Sequence, residues 1–411
     1  MNATATSYPR NKIRILLLEN ISDAAVAELE AGGYFELTRI GGALSEAELI
    51  DAVAGVHLIG IRSKTQITKA VIAAADKLLA IGAFCIGVNQ IDLGAATEKG
   101  VAVFNAPYSN TRSVAELVIG LSVMLIRKIA DKNSAAHRGE WLKDSKGSFE
   151  LRGKTLGIVG YGNIGSQVSN LAEAMGMHVV YYDTAIKLPL GNAKQVRELN
   201  ELLEQSDIVT LHVPSDLTTR NMINADSLKF MREGSILINH SRGDVVDLDA
   251  LKLAIDQGVI AGAAVDVFPI EPEKNGDLFE TVLQNLPNVI LTPHIGGSTE
   301  EAQANIGLDV TAKLIKYLEF GTSEGSHTVP SVSLPPQAGT HRILHIHKNV
   351  PGVLGEINSR LSVNGINIVG QYLKTNEEIG YVILDVDSKL SAEALELLKQ
   401  INGTVRARMV Y

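Results

Sequence analysis

Apolar runs alternate with helical stretches from Lys12 onward, and a glycine-rich turn leads from one such run into a helix. The C-terminal stretch reads strand–helix–strand–strand–helix–strand. Together these predict an α/β protein: two Rossmann-like doubly wound domains plus a C-terminal ferredoxin-like βαββαβ domain. In the first region, 12–105, the runs Ile13–Leu18, Val56–Ile61, Leu78–Ile81 and Val101–Phe104 have strand length, and Ala24–Ala31 reads as helix. The second region, 106–297, carries a helical run from Ala115 to Arg138. Its expected strands are 156–159, 178–182, 208–213, 235–239, 261–267 and 289–292, a roughly six-stranded order. The helix 300–319 is expected to return to the first region. Residues 12–105 and 298–330 then form one discontinuous substrate-binding domain, with a cleft between it and 106–297.

A linker, 331–340, closes a stretch rich in Ser, Pro and Gly. In 341–411 the expected elements are strand His341–His347, helix Pro351–Val363, strands Asn367–Lys374 and Gly380–Val386, helix Ala392–Ile401 and strand Thr404–Tyr411. Pro351 lies near the first turn of its helix and Gly365 just past its end. This domain is small for the main chemistry and suited to a regulatory role.

The chain has 411 residues, which at roughly 150 per domain fits two or three domains. Its net charge of −9 argues against nucleic acid or an anionic membrane as partner, so an anionic substrate needs a local cluster of cations. The one cysteine, Cys85, permits no intrachain disulfide and fits a reducing, cytoplasmic setting. Lying in the apolar run Ala80–Gly87, it reads as core rather than as a nucleophile. No apolar run approaches the ~18 residues of a membrane span. Met1–Arg10 lacks the apolar stretch of a signal peptide and is expected to be a loose tail. His345 and His347 share a strand face, but no third ligand accompanies them and no metal site is expected.

The glycine turn is Gly160-x-Gly162-x-x-Gly165, preceded by the strand Leu156–Val159, with Asp183 closing the next apolar run. The first glycine permits a tight turn, the second lets backbone approach a pyrophosphate, and the third brings helix close to strand. Free N–H groups at the helix start hold the diphosphate. Asp183 suits a ribose 2′-OH and repels a 2′-phosphate, so NAD is expected over NADP.

Ligands of doubly wound sheets bind beyond the carboxyl ends of strands. There, three late strands deliver Arg242, Glu271 and His294. This trio suits hydride transfer from a 2-hydroxy acid. The histidine takes the hydroxyl proton, the carboxylate fixes its tautomer and stabilises the imidazolium, and the arginine binds the substrate carboxylate. Arg62 and Lys64, and Lys143 near Trp141, are candidate cations for a phosphate, although Arg62-x-Lys64 also reads as a solvated strand end. Trp141 reads either as an aromatic exposed beyond the long helix, at a subunit interface, or as core.

These features resemble the D-isomer-specific 2-hydroxyacid dehydrogenases, in the branch carrying a C-terminal ACT domain. The matching stretches are Arg62–Thr65, Asn105–Glu116, the Gly160 fingerprint, Ser241–Gly243, Asp266–Pro272 and His294–Thr299. The resemblance covers essentially all of the chain after Lys12. It implies Arg242, Glu271 and His294 as catalytic residues. It implies an NAD site lined by Gly160, Gly162, Asn163, Ile164, Gly165, Asp183, His212, Val213, Pro214, Ser241, Asp266, Gly296 and Gly297. It implies substrate contacts from Arg62, Ser63, Asn110 and Gln303. The implied reaction is oxidation of D-3-phosphoglycerate to 3-phosphonooxypyruvate, the entry to L-serine synthesis, in a homotetramer. The alternative is another D-2-hydroxyacid, such as the 2-hydroxyglutarate/2-oxoglutarate pair. A third reading, an NAD-sensing binding protein, is disfavoured by the ACT domain. His347, Asn349 and Asn367 match the residues that bind L-serine between paired ACT domains of such enzymes. Two departures stand out. His240 replaces the small residue usual before Ser-Arg-Gly and is assigned either to the adenine side of NAD or to tuning of neighbouring pKa values. The hinge reads Gly339-Thr340, stiffer than two glycines.

Overall fold

The short apolar runs pair into three sheets in the computed structural model, which describes residues 8–272 and 276–410. Residues 1–7 of the expected N-terminal tail lie outside the described residues. The first sheet is parallel, built from β1 (Arg14–Leu18), β2 (Glu36–Ile40), β3 (Leu58–Ile61), β4 (Ala80–Ala83) and β5 (Ala102–Asn105) in the order β2-β1-β3-β4-β5. Helices α1 (Asp23–Ala31), α2 (Glu46–Ala52), α3 (Lys69–Ala74) and α4 (Leu93–Glu98) connect its strands.

The second sheet is also parallel. It comprises β6 (Thr155–Val159), β7 (His178–Tyr182), β8 (Lys194–Gln195), β9 (Ile208–Leu211), β10 (Ser235–Asn239), β11 (Ile260–Val265) and β12 (Val289–Leu291), ordered β12-β11-β10-β9-β6-β7-β8. Its helices are α5 (Thr111–Ile126), α6 (Ile129–His137), α7 (Asn163–Ala174), α8 (Leu199–Gln205) and α9 (Leu248–Asp256). Helix α10 (Glu300–Phe320) leads on to the third sheet. That sheet is antiparallel: β13 (Thr340–Lys348), β14 (Ile368–Thr375), β15 (Ile379–Asp387) and β16 (Thr404–Met409), ordered β14-β15-β13-β16, with α11 (Val353–Val363) and α12 (Ser391–Lys399). This is the α/β class expected from the sequence. Asn110–Ala302 forms one compact unit; the chain on either side forms a second, which holds both the first and third sheets.

Strands β3, β4, β5, β9 and β10 are buried along their whole length, which is why they read as mainly apolar runs. Three elements and one side chain depart from the sequence reading. The first sheet gains β2, an edge strand of sequence Glu-Leu-Thr-Arg-Ile that is mostly exposed and so carries no apolar run. The second sheet has seven strands rather than six, because the two-residue β8 extends its edge. The expected helix Ala115–Arg138 is two helices, broken at Lys128, whose backbone is left-handed (φ 53°). Trp141 is 85% exposed, so its reading as a core residue is wrong.

Alternation along β13 divides the third sheet between two cores. Leu344 and Ile346 join Phe104, Val310, Leu314 and Tyr317 of the first domain, while Ile343 packs with Val353, Ile357 and Leu398 beneath α11 and α12. The first seam also holds a buried ion pair. Arg342 and Asp385 face each other across β13 and β15, with side-chain exposures of 0% and 1%. Arg342 Nε and Nη2 donate to the two Asp385 oxygens at 2.7 Å each. The remaining guanidinium donors reach the carbonyls of Phe320 (3.2 Å), Leu334 (2.6 Å) and Pro335 (2.8 Å). One side chain thus ties the end of α10 and the linker to the antiparallel sheet. Tyr381 Oη adds a bond to Gly321 O at 2.6 Å, and Arg408 donates to the Tyr317 and Leu318 carbonyls.

Removing one partner of such a pair strands a buried charge. Arg342→Met is expected to lower stability by about 3–5 kcal/mol, measured by urea unfolding; a loss under about 1 kcal/mol contradicts the assigned role.

Candidate active site

The turn between β6 and α7 is shaped by its glycines. Gly160 has φ 92°, and a Cβ there would collide with the His212 carbonyl oxygen. A Cβ on Gly165 would collide with the carbonyl oxygen of Gly160, so the helix can approach the turn only without one. Gly162 differs: it caps α7, is exposed, and has open space where a Cβ would stand. The free N–H groups of α7 therefore face an uncrowded approach at Gly162, Asn163 and Ile164, as a bound diphosphate requires. Asp183 follows β7 and accepts from the N–H groups of Tyr161 (2.8 Å) and Ala185 (2.9 Å), which places it against the glycine turn.

Adjacency of β10, β11 and β12 places their carboxyl ends side by side. Asn239, the last residue of β10, is fully buried and organises the turn that follows: its Oδ1 accepts from Ser241 N (3.1 Å) and Ser241 Oγ (2.8 Å), and its Nδ2 donates to Arg242 O (3.0 Å). Arg242 is left exposed, with Nη1 bonded to Ser241 O at 2.7 Å. Gly243 is required next, since a Cβ there would collide with the Phe268 backbone.

Beyond β11, Glu271 Oε1 accepts the Phe268 N–H at 3.0 Å and Oε2 lies 2.8 Å from His294 Nδ1. Burial alone would raise the Glu271 carboxyl. The His294 hydrogen bond, the Phe268 N–H and the charges of His294 and Arg242 outweigh burial and hold it below the ordinary range. His294 shifts the other way, because the Glu271 hydrogen bond, with the Glu271 and Asp266 charges, outweighs burial and Arg242 and raises its pKa.

The His294 backbone is left-handed (φ 54°), an unfavourable conformation for a non-glycine residue. Asp266, 2% exposed, holds the loop that carries it. One oxygen accepts from Thr292 Oγ1 (2.6 Å) and Ile295 N (2.8 Å), and the other from Gly296 N (2.8 Å). Asp266, expected to line the NAD site, also braces that loop. Gly297 packs against the Asn110 side chain, which a Cβ would displace.

His240 is buried beside this loop, its Nδ1 3.6 Å from Asp266 Oδ2, and burial lowers its pKa against the pull of Asp266. His212 bonds Thr210 Oγ1 through Nε2 at 3.0 Å, and burial drives it down to about 3. Both are therefore neutral near pH 7. Val213 and Pro214 continue from β9, half-buried and exposed respectively.

The expected substrate residues fall in both units. Arg62 and Ser63 follow β3, half-buried and exposed, and Gln303 lies in α10. Lys143 sits in the irregular, exposed stretch between α6 and β6. Cys85 Sγ is bonded to Gly87 O and Gln90, and burial raises its pKa, which suits a packed thiol rather than a nucleophile.

Of the expected effector residues, His347 and Asn349 stand together, but Asn367 does not join them. His347 and Thr375 both pair with Gly380, whereas Ile368, next to Asn367, pairs with Val386. That places Asn367 about 20 Å away along β15, at about 3.3 Å per residue. Asn239 and Thr292 were not foreseen; the signal for each is a polar residue ending an apolar run, buried in β10 and half-buried in β12.

Residues 119–296 match the family described as D-isomer specific 2-hydroxyacid dehydrogenase, NAD binding domain, and 343–406 match an AHAS small subunit-like ACT domain. The chain is 51% identical over 407 residues to the D-3-phosphoglycerate dehydrogenase of Escherichia coli K12, covering 98% of this chain and 99% of that one. It is 48% identical over 406 residues to the enzyme of the same name from Dictyostelium discoideum, covering 99% of each. The D-lactate dehydrogenase of Aquifex aeolicus, solved with NAD and lactic acid, superposes with a TM-score of 0.65 at 28% identity, over 77% of this chain and 100% of that one.

Asp183→Ala is expected to weaken NADH binding about tenfold and to narrow the preference over NADPH by a larger factor. Fluorescence titration checks this; an unchanged NADH-to-NADPH ratio contradicts it.

Proposed function

The chain belongs to the D-isomer specific 2-hydroxyacid dehydrogenases, NAD-dependent oxidoreductases, and from that membership we propose that it oxidises D-3-phosphoglycerate to 3-phosphonooxypyruvate. The observation that carries the reading is the His294–Glu271 hydrogen bond beside Arg242, at adjacent strand ends of an NAD-binding domain.

Gly160–Gly165 and Asp183 would hold NAD, which would supply the hydride acceptor. The protein supplies the rest. A proton on His294 Nδ1, donated to Glu271 Oε2, leaves Nε2 as the ring nitrogen that takes the substrate hydroxyl proton. As the ring becomes cationic, Glu271 stabilises it, and this is the same interaction that raises the His294 pKa in the free protein. Arg242 has donors free of the Ser241 carbonyl and an exposed position, which suit it to binding the substrate carboxylate and polarising the forming carbonyl. Arg62, Ser63 and Lys64 are assigned to the phosphate, whose charge near −2 needs cations. Asn110 and Gln303 complete the set of substrate contacts carried by the family resemblance.

Inhibition by L-serine at the ACT domain is part of this reading. His347 and Asn349 at one end of the third sheet and Asn367 at the other can serve one ligand if a second copy supplies Asn367, which supports effector binding between paired domains. The family likeness supports a homotetramer and a cytoplasmic location. No helix among the described residues is long and apolar enough to cross a membrane.

Purified protein is expected to form NADH with D-3-phosphoglycerate, and less so with L-serine present. Reduction of 2-oxoglutarate with no turnover of phosphoglycerate overturns the substrate assignment. His294→Ala is expected to cut turnover by about a hundredfold or more with NADH affinity unchanged; equal losses in both contradict the proton-transfer role.

A further inference from the structure

The turn that follows β3 is held by a carboxylate from the neighbouring strand. Glu19 comes directly after β1, where its backbone and that of Asn20 are both left-handed (φ 62° and 52°). Two successive non-glycine residues in this region mark a segment that the surrounding structure forces into shape. The result is that the Glu19 side chain, in a residue 8% exposed, reaches the adjacent turn. Its Oε1 accepts the N–H groups of Arg62 (3.2 Å) and Thr65 (2.8 Å), and its Oε2 accepts that of Lys64 (3.0 Å). Gln90, 4% exposed, secures the same turn at its carbonyl, with Nε2 donating to Arg62 O at 2.7 Å.

Convergent backbone N–H groups of one turn form a natural cradle for an anion. Here the chain's own carboxylate fills it. An anion arriving from outside therefore meets side chains instead: Arg62, half-buried, and Ser63 and Lys64, both exposed. A carboxylate this close to a phosphate is unfavourable as a charge, so its value lies in fixing the turn.

We infer that Glu19 is a positioning residue that sets the Arg62–Thr65 turn so that Arg62, Ser63 and Lys64 receive the phosphate of the substrate. The inference rests on the assignment of this turn to the phosphate group in the proposed function. Gln90 assists from the carbonyl side. A brace serving the fold alone would, when weakened, affect every substrate equally; a residue setting the phosphate turn affects phosphorylated substrates selectively.

The test uses the full-length enzyme and the near-isosteric Glu19→Gln, which loses the charge and places an NH2 group where a backbone N–H must be accepted. The KM for D-3-phosphoglycerate is expected to rise about tenfold, as for loss of charge-assisted hydrogen bonds. Its kcat should stay within about twofold, and the KM values for NAD and for hydroxypyruvate, which lacks the phosphate, should not change. Arg62→Ala run alongside separates the inference from its premise. A higher phosphoglycerate KM in Arg62→Ala but not in Glu19→Gln overturns the inference and leaves the phosphate assignment standing. An unchanged KM in Arg62→Ala overturns the assignment itself. Equal rises for phosphoglycerate and hydroxypyruvate in Glu19→Gln make Glu19 a brace of the fold alone and overturn the inference. Should Glu19→Gln fail to fold, Gln90→Met removes the donor to Arg62 O. It is expected to raise the phosphoglycerate KM selectively by a smaller factor, and a KM unchanged or raised equally for both substrates overturns the inference.

Discussion

The 2.8 Å contact between His294 Nδ1 and Glu271 Oε2 is the interaction on which the proposed chemistry depends. It selects the histidine tautomer, raises the pKa of the base and gives the developing imidazolium a partner. Neither residue reaches that position unaided. Glu271 is fixed by the Phe268 N–H, and His294 sits in a left-handed backbone conformation within a loop that Asp266 holds through Thr292, Ile295 and Gly296. Asp266 is itself buried directly beyond β11. The order β12-β11-β10 is thus the structural condition for the pair, and Asn239 sets the companion turn that carries Arg242.

Much of this was legible in residue patterns because burial and backbone constraint leave strong marks. The fingerprint Gly160-x-Gly162-x-x-Gly165 marks places where a Cβ would collide or where an approach must stay open, so it can be read without coordinates. Strands buried on both faces appear as apolar runs, and the polar residues ending them point to Arg242, Glu271 and His294. Elements without burial left no such mark: β2 is a mostly exposed edge strand, and β8 spans two residues. The break at Lys128 rests on a left-handed backbone at a residue type that does not advertise it. Braces were the least legible. Glu19 and Asp266 act by accepting backbone N–H groups from segments distant in sequence, and such bonds follow from folded geometry rather than from local pattern.

The third sheet is joined to the first domain by more than apolar contact. Arg342, Tyr381 and Arg408 all donate to main-chain carbonyls of α10, the residue after it or the linker. A carbonyl accepts only when its peptide is correctly placed, so these bonds specify where α10 ends relative to the sheet. Such a stiff junction suits the regulatory role proposed for the third sheet, in keeping with threonine rather than a second glycine after Gly339.

The most direct test is the pH dependence of kcat/KM for D-3-phosphoglycerate oxidation, compared between the native enzyme and Glu271→Gln. The acid limb of this profile reports the free-enzyme group that must lose its proton. In the native enzyme it should lie above the ordinary histidine value of about 6.5, because the Glu271 bond favours the protonated His294. Glutamine removes that charge and leaves burial, which favours the neutral ring, so the limb should move to lower pH as maximal activity falls. An acid limb at the same pH in both proteins would contradict the account.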